Sequence, residues 1–182
     1  MADSQELDLI VKLHNPNTRN QAFSVLVNTH QERLYWHIRR MVVGHDDTDD
    51  ILQNTFIKAF RALDNFRGES QLYTWLYRIA TNETISFLKT KRLKMFVSFE
   101  SAENHFAKHL EADSEMSGDS IQGKLQRAIL KLPDKQRLVF NMKYYEEMKY
   151  EEMSEILGTS VGALKASYHH AVKKIERYVV EH

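Results

Sequence analysis

Between Phe66 and Asn82 the chain reads FRGESQLYTWLYRIATN, a Gly-containing turn with polar and basic groups set against a helix start rich in Tyr, Trp and Leu. Flat rings beside cations suit unstacked nucleic-acid bases, because every base offers a π-face and every phosphate a charge. Leu72, Trp75, Leu76 and Ile79 follow one another at helical spacings of 3, 1 and 3, which places these four in a core. The chemistry therefore falls to the residues around them. Beyond Asn82 the same helical pattern ends in Lys89, Lys91, Arg92 and Lys94. Cations at a helix C-terminus serve the macrodipole, and they equally serve phosphates. Arg78, Asn82, Lys89 and Arg92 can share one polar side of that helix, forming a backbone track that leads to the aromatic turn.

Other chemistry finds little support. The nine histidines are scattered, and no nucleophile–base pair or Gly-rich phosphate loop occurs. His105, His109 and Asp113 stand at i, i+4 and i+8, a spacing able to ligate a metal on a helix, but no fourth ligand accompanies them. No metal and no cofactor are expected. Cysteine is absent, which fits a reducing compartment. MADSQELDLI has neither the basic nor the apolar region of a signal peptide, and no stretch approaches 18 apolar residues. The expectation is a cytoplasmic protein without membrane insertion.

The elements that must position these groups are helices. With six Gly, two Pro and long runs of Leu, Lys, Glu, Arg and Ala, the 182 residues predict an all-α protein. Lys and Arg total 25, as do Asp and Glu, but they are unevenly placed. Residues 1–95 hold 13 basic and 11 acidic side chains, 96–119 hold 1 and 6, and 120–182 hold 11 and 8. Two small domains, 1–95 and 120–182, joined by an acidic linker over 96–119, account for this map. A flexible linker of that length reaches about 25–30 Å root-mean-square.

After a short amphipathic segment over 5–13 and the Asn15-Pro16-Asn17 break, Thr18 is placed to cap a helix. Ala22, Phe23, Leu26, Val27, His30, Leu34 and Ile38 form its apolar face, Arg33, Arg39 and Arg40 its other faces, and Gly44 its end. Asp46, Asp47, Asp49 and Asp50 then open a second helix, where carboxylates suit the macrodipole. Its inward side is expected to be Leu52, Phe56, Ala59 and Leu63, leaving Asp49, Asp50, Gln53, Asn54, Ile57 and Arg61 outside. An outward Ile57 among polar groups suits a protein partner.

The segment 120–182 begins with a helix marked by Ile121, Leu125, Ala128 and Leu132; Pro133 opens the next, with Leu138, Met142 and Tyr145 inward. A short helix over Tyr150–Leu157 stops at Gly158, and Ser160 caps a longer one with Val161, Leu164, Tyr168, Ala171 and Ile175 inward. A short helix, a glycine turn and a second helix make a helix-turn-helix or a plain helical hairpin. Gly162, Ala163, Lys165, Ala166, His169, His170 and Lys173 fall on the outer face, small at the N-terminal end and cationic beyond it, as major-groove entry requires.

Three segments together, DDTDDILQNTF, FRGESQLYTWLYRIATN and the run from Leu132 to Ile175, resemble the extracytoplasmic-function sigma factors of bacterial RNA polymerase. The resemblance implies two helical domains, a sigma-2-like bundle and a sigma-4-like helix-turn-helix domain. It implies no enzyme activity. Asp49, Asp50, Gln53, Asn54, Ile57 and Arg61 would dock on the clamp helices of the polymerase largest subunit, and the second domain on the flap region. Phe66, Arg67, Glu69, Ser70, Gln71, Tyr73 and Thr74 would capture a flipped base of the −10 element, with Arg78, Asn82, Lys89 and Arg92 holding the nontemplate strand. Lys165, Ser167, His169, His170, Lys173 and Lys174 would read −35 duplex DNA. An anti-sigma factor is a further implied partner. The sequence departs from the family's pattern at Asn54, where Glu is usual, and at Ser167 and His170, where Arg is usual. Contacts to −35 phosphates are therefore expected to be fewer, or to depend on histidine protonation. The rival reading is a one-component helix-turn-helix regulator that binds duplex DNA without polymerase.

Overall fold

The computed structural model describes residues 4–98 and 121–181, with side chains omitted for 94–98 and 121–122. The spacing of His105, His109 and Asp113 lies outside these residues, as does the acidic linker expected over 96–119 apart from 96–98, which continue the helix Leu72–Ser98. Every regular element among the described residues is helical, as the composition predicts. The chain divides into two compact units, Met1–Phe87 and Leu88–His182.

The first unit contains α1 (Ser4–His14), α2 (Arg19–Val42), α3 (His45–Ala62), a 3-10 turn (Leu63–Asn65) and the start of α4 (Leu72–Ser98). Its core joins Leu13 of α1, Leu26, Leu34 and Ile38 of α2, Ile51 and Ala59 of α3, and Leu72, Leu76, Tyr77 and Ala80 of α4. Thr18 occupies the N-cap position of α2 but makes no side-chain cap. Its hydroxyl donates instead to the Lys12 carbonyl at 2.8 Å, tying the end of α1 to the start of α2.

Gly44 does not end α2. Val43 takes the left-handed residue (φ 68°), and Gly44 is extended (φ −79°, ψ 137°) as the N-cap of α3. The fit there is tight: a Cβ would stand 3.0 Å from Asp47 Oδ2, at the end of that side chain. The buried side of α3 is also rotated from the expected one. Thr48, Ile51, Thr55 and Ala59 are buried, whereas Leu52 and Phe56 are only half-buried. Threonine is tolerated inside because its hydroxyl bonds within its own helix, Thr48 to the Gly44 carbonyl at 2.6 Å and Thr55 to that of Ile51 at 2.8 Å. Arg39, expected on an outer face of α2, is 8% exposed.

In the second unit, α5 (Ile121–Leu130), α6 (Asp134–Tyr144), α7 (Tyr150–Leu157) and α8 (Val161–Glu181) close around Ala128, Ile129, Leu132, Phe140, Ala171 and Ile175. Helix α6 is buried on nearly every side from Arg137 to Met142, more than its apolar spacing suggests. Arg137, 1% exposed, donates to Asp134 at 3.3 Å and to the Leu130 carbonyl at 3.4 Å, which fixes the α5–α6 turn. Gly158 ends α7 in the left-handed region (φ 61°), its N–H donating to the Ser154 carbonyl at 2.9 Å. Ser160 caps α8 as expected, its Oγ accepting from Ala163 N–H at 3.3 Å.

Candidate nucleic-acid interface

The turn between the 3-10 segment and α4 is built on a closed floor. The Phe66 ring packs on Trp75 with centroids 4.9 Å apart, and Phe66 is only 6% exposed. Phe66 thus faces inward beneath the turn, while Arg67, Glu69 and Gln71 stand exposed and Ser70, Tyr73 and Thr74 are half-buried. Gly68 supplies the reversal at φ 71° with nothing near its Cβ position. Leu72 and Leu76 are fully buried as their spacing implies; Trp75 and Ile79 are half-buried, and Tyr77 takes the central place.

Tyr73 sits in a cleft shared with α2. The Arg33 guanidinium lies 4.1 Å from its ring centroid, and the His30 ring 5.6 Å away. Burial holds His30 below its ordinary pKa, opposed by Glu6 and reinforced by Arg33. Deeper in, Tyr77 packs on both Tyr73 and His37, and its hydroxyl is 2.6 Å from His37 Nδ1. His37 Nε2 meets Thr81 Oγ1 at 3.0 Å. Complete burial, with Arg40 nearby, lowers the His37 pKa to about 3, so the ring is neutral at physiological pH. A ladder of rings thus runs from the exposed turn into the core.

Farther along α4, Arg78 is half-buried, and Asn82, Lys89 and Arg92 are exposed. Lys89 and Arg92 fall within the second unit. On α3, Asp49, Asp50, Gln53, Asn54, Ile57 and Arg61 are all exposed, Ile57 at 41%. Beside them a groove of about 370 Å³ is lined by Phe23, Gln53, Phe56, Ile57, Phe60 and Arg61. Phe23 meets Phe60 edge-on at 5.0 Å, so this face is more apolar than Ile57 alone indicates.

On α8 the outer face is open. Lys165, His169, His170, Lys173 and Lys174 are exposed and Ser167 is half-buried. Lys173 pairs with Glu176 at 3.3 Å, and Lys174 donates to Gln136 of α6 at 2.9 Å, placing Lys174 at the edge of the face. Tyr150, at the first residue of α7, lies under two ammonium groups, Lys143 at 5.2 Å and Lys165 at 5.7 Å from its ring centre. Burial, aided by Tyr168, pushes the Tyr150 hydroxyl above its usual pKa.

Sequence reasoning did not single out Glu6, His14, Arg33, His37, Tyr77 or Tyr150. For His37 a signal existed, since it stands three residues after Leu34 and four before Met41 on the buried side of α2. For Arg33, Glu6 and His14 there was none, because their partners are distant in the chain.

Comparison with known proteins agrees with this layout. Residues 26–93 match the family model for sigma-70 region 2, and 122–175 that for sigma-70 region 4. The chain is 30% identical to RNA polymerase sigma-H factor of Pseudomonas aeruginosa, over 97% of this chain and 95% of that protein. It is 33% identical to the ECF RNA polymerase sigma factor SigW of Bacillus subtilis, over 81% and 83% of the two chains. Among solved structures, CnrH in complex with the cytosolic domain of CnrY superposes with a TM-score of 0.67 at 23% identity, covering 97% of both chains. The sigma factor RpoE in complex with the anti-sigma factor NepR from Bartonella quintana gives 0.66 at 20% identity, covering 86% of this chain and 96% of that one. The exposed turn, the open helix-turn-helix face and these two matched regions lead to one conclusion: the chain belongs to the extracytoplasmic-function family of RNA polymerase sigma factors.

Proposed function

We propose that this sigma factor directs promoter-specific initiation by dividing three tasks among three surfaces. The exposed face of α3, from Asp49 to Arg61, docks on the clamp helices of core RNA polymerase, with the Phe23–Phe60 groove as its apolar margin, and the second domain docks on the flap region. The turn from Arg67 to Thr74 traps an unstacked −10 base, and Arg78, Asn82, Lys89 and Arg92 hold the phosphates of the same strand. The outer face of α8 reads −35 duplex through Lys165, Ser167, His169, His170 and Lys173, with Lys174 at its edge. Phe66 acts from below as the floor of the trap.

The observation that carries this reading is the exposure of Arg67, Glu69 and Gln71 above the closed Phe66–Trp75 pair. Polar groups held open on a rigid floor suit a strand whose bases are already unpaired. Extrusion of a base costs a few kcal/mol, which binding energy supplies without a general acid, base or metal. The protein is therefore a specificity subunit and no catalyst. No described helix is long and apolar enough to cross a membrane, which accords with action beside polymerase in the cytoplasm. Two solved relatives are bound to partners called CnrY and NepR, the second an anti-sigma factor; a protein of that kind covering the α3 face would hold this chain inactive.

Binding measurements with and without core polymerase test the reading. The free protein is expected to bind promoter duplex weakly, and the reconstituted holoenzyme tightly and with sequence preference. Equal, tight duplex binding by the free protein would favour the one-component regulator.

A further inference from the structure

The turn that carries Arg67, Glu69 and Gln71 is held at both ends by the same short helix, α1. At its far end, Glu6 Oε1 accepts the Leu72 N–H at 2.5 Å, on the first residue of α4. At its near end, His14 Nε2 lies 3.1 Å from the Phe66 carbonyl oxygen, while Nδ1 lies 2.8 Å from the Ile10 carbonyl within α1. Glu6 and His14 are two turns apart on α1, so one rigid element spans the turn. Leu13, fully buried between them, anchors that element in the core.

A neighbouring ion pair strengthens the arrangement. The Arg19 guanidinium binds Asp64, just before the turn, and its Nε donates to the Leu13 carbonyl at 3.0 Å. The Glu6 contact also answers a local need. The first N–H groups of a helix have no partner within it, and they are usually served by a short side chain immediately before. Here that position is Gln71, which stands exposed. The acceptor is supplied from 66 residues earlier, as a carboxylate whose charge also suits the helix start. Gln71 is thereby left outward. A cavity of about 680 Å³ between α1, α2 and the turn, lined by Glu6, Thr29, His30, Gln71 and Tyr73 among others, lies beside this contact.

We propose that α1 is the brace of the −10 turn, with Glu6 and His14 as positioning residues for capture of an unpaired DNA strand. The inference rests on the strand-capture reading above and adds to it a part of the chain that neither family match includes. A turn fixed at Phe66 and Leu72 presents Arg67, Glu69 and Gln71 already ordered, so strand binding does not have to supply that ordering. Without the brace the contacts still form, but at an entropic cost charged to promoter opening.

The test uses full-length protein reconstituted with core polymerase on a promoter that the wild-type holoenzyme opens. Opening is read by 2-aminopurine fluorescence in the −10 nontemplate strand, closed-complex binding by retention of the same duplex, and folding by thermal melting of the free protein. Glu6→Ala is expected to lower opening about ten-fold or more, the scale of one lost charge-assisted hydrogen bond. Closed-complex binding should change less than about two-fold, about a third of the ten-fold range in free-energy terms. Glu6→Gln, which keeps an acceptor oxygen, should recover most of the loss. His14→Gln tests the other clasp independently and is expected to show the same split. Normal opening by Glu6→Ala and His14→Gln would overturn the proposal. So would opening and closed binding that fall together, or opening that falls only in proportion to the unfolded fraction. Failure of the wild-type holoenzyme to open any promoter would count against the strand-capture reading itself.

Discussion

The Tyr77 hydroxyl and His37 Nδ1 meet at 2.6 Å where α2 packs on α4, inside a pocket that excludes water from both. The pair joins the core of the first unit to the ring ladder that ends at Tyr73. Because the buried His37 has its pKa lowered to about 3, the unfolded chain binds the proton more readily than the folded one. Stability is therefore fully present above the unfolded value near 6.5 and is lost as pH falls from there toward 3, by up to about 1.4 kcal/mol per pH unit. His30, lowered mainly by burial, acts in the same direction. Urea melts between pH 7.5 and 4.5 check this, and His37→Gln should flatten the slope.

Tyr77→Phe removes the hydroxyl and leaves His37 Nδ1 without that partner in a dry site. The expected loss is about 1–3 kcal/mol, the cost of an unsatisfied buried polar group. Denaturant unfolding gives the value directly, and a neutral result would show that the hydroxyl is dispensable.

Within the turn, floor and surface should respond differently. Trp75→Ala removes a half-buried indole packed on Phe66 and should destabilise the first unit by about 2–4 kcal/mol, somewhat below the cost for a fully buried aromatic. Arg67→Ala and Gln71→Ala, both exposed, should stay within about 0.5 kcal/mol of wild type while impairing promoter opening. Thermal melts set beside opening assays separate the two classes; equal destabilisation by all three would make the stretch merely structural.

Two glycines have positive φ with open space around the Cβ position, so substitution there costs backbone strain alone. Gly158→Ala should lower the stability of the second unit by about 1–2 kcal/mol, and Gly158→Asn by less. Gly68→Ala should disturb the −10 turn and reduce opening at unchanged −35 affinity. Melting curves and duplex titrations with holoenzyme measure both.

Much of this organisation is legible in one sequence. The helices of the second unit follow from Pro133, Gly158 and Ser160, each of which performs the terminal role its chemistry suggests. The outward faces of α3 and α8 follow from their charged spacing. Where the reading departs from the structure, tertiary packing or space outweighs local pattern. Gly44 suggests a helix end by its backbone freedom, yet it is extended and serves as the N-cap of α3, close against the Asp47 carboxylate. Leu52 and Phe56 suggest the buried side of α3 by hydropathy, yet Thr48 and Thr55 are buried in their place, their hydroxyls satisfied by backbone carbonyls one turn earlier. Phe66 looks like a ligand-facing ring, and only the position of Trp75 turns it into a floor. The clasps of α1 had no local signature, since Glu6 and Leu72 are joined by folding alone.

On α8, Lys165 is the most informative single substitution, since it lies on the outer face and over the Tyr150 ring. Lys165→Ala should weaken −35 duplex binding by holoenzyme and reduce the slope of log affinity against log salt by about 0.9, the loss of one phosphate contact. An unchanged slope with relaxed sequence preference would place Lys165 on a base instead.

Run-off transcription tests the central claim most directly. Core RNA polymerase is combined with genomic fragments that the reconstituted holoenzyme retains, with and without this protein. The account predicts discrete transcripts from those fragments only when the protein is present, and their loss when Arg67 and Gln71 are both replaced by alanine. Initiation that is the same with and without the protein would contradict it.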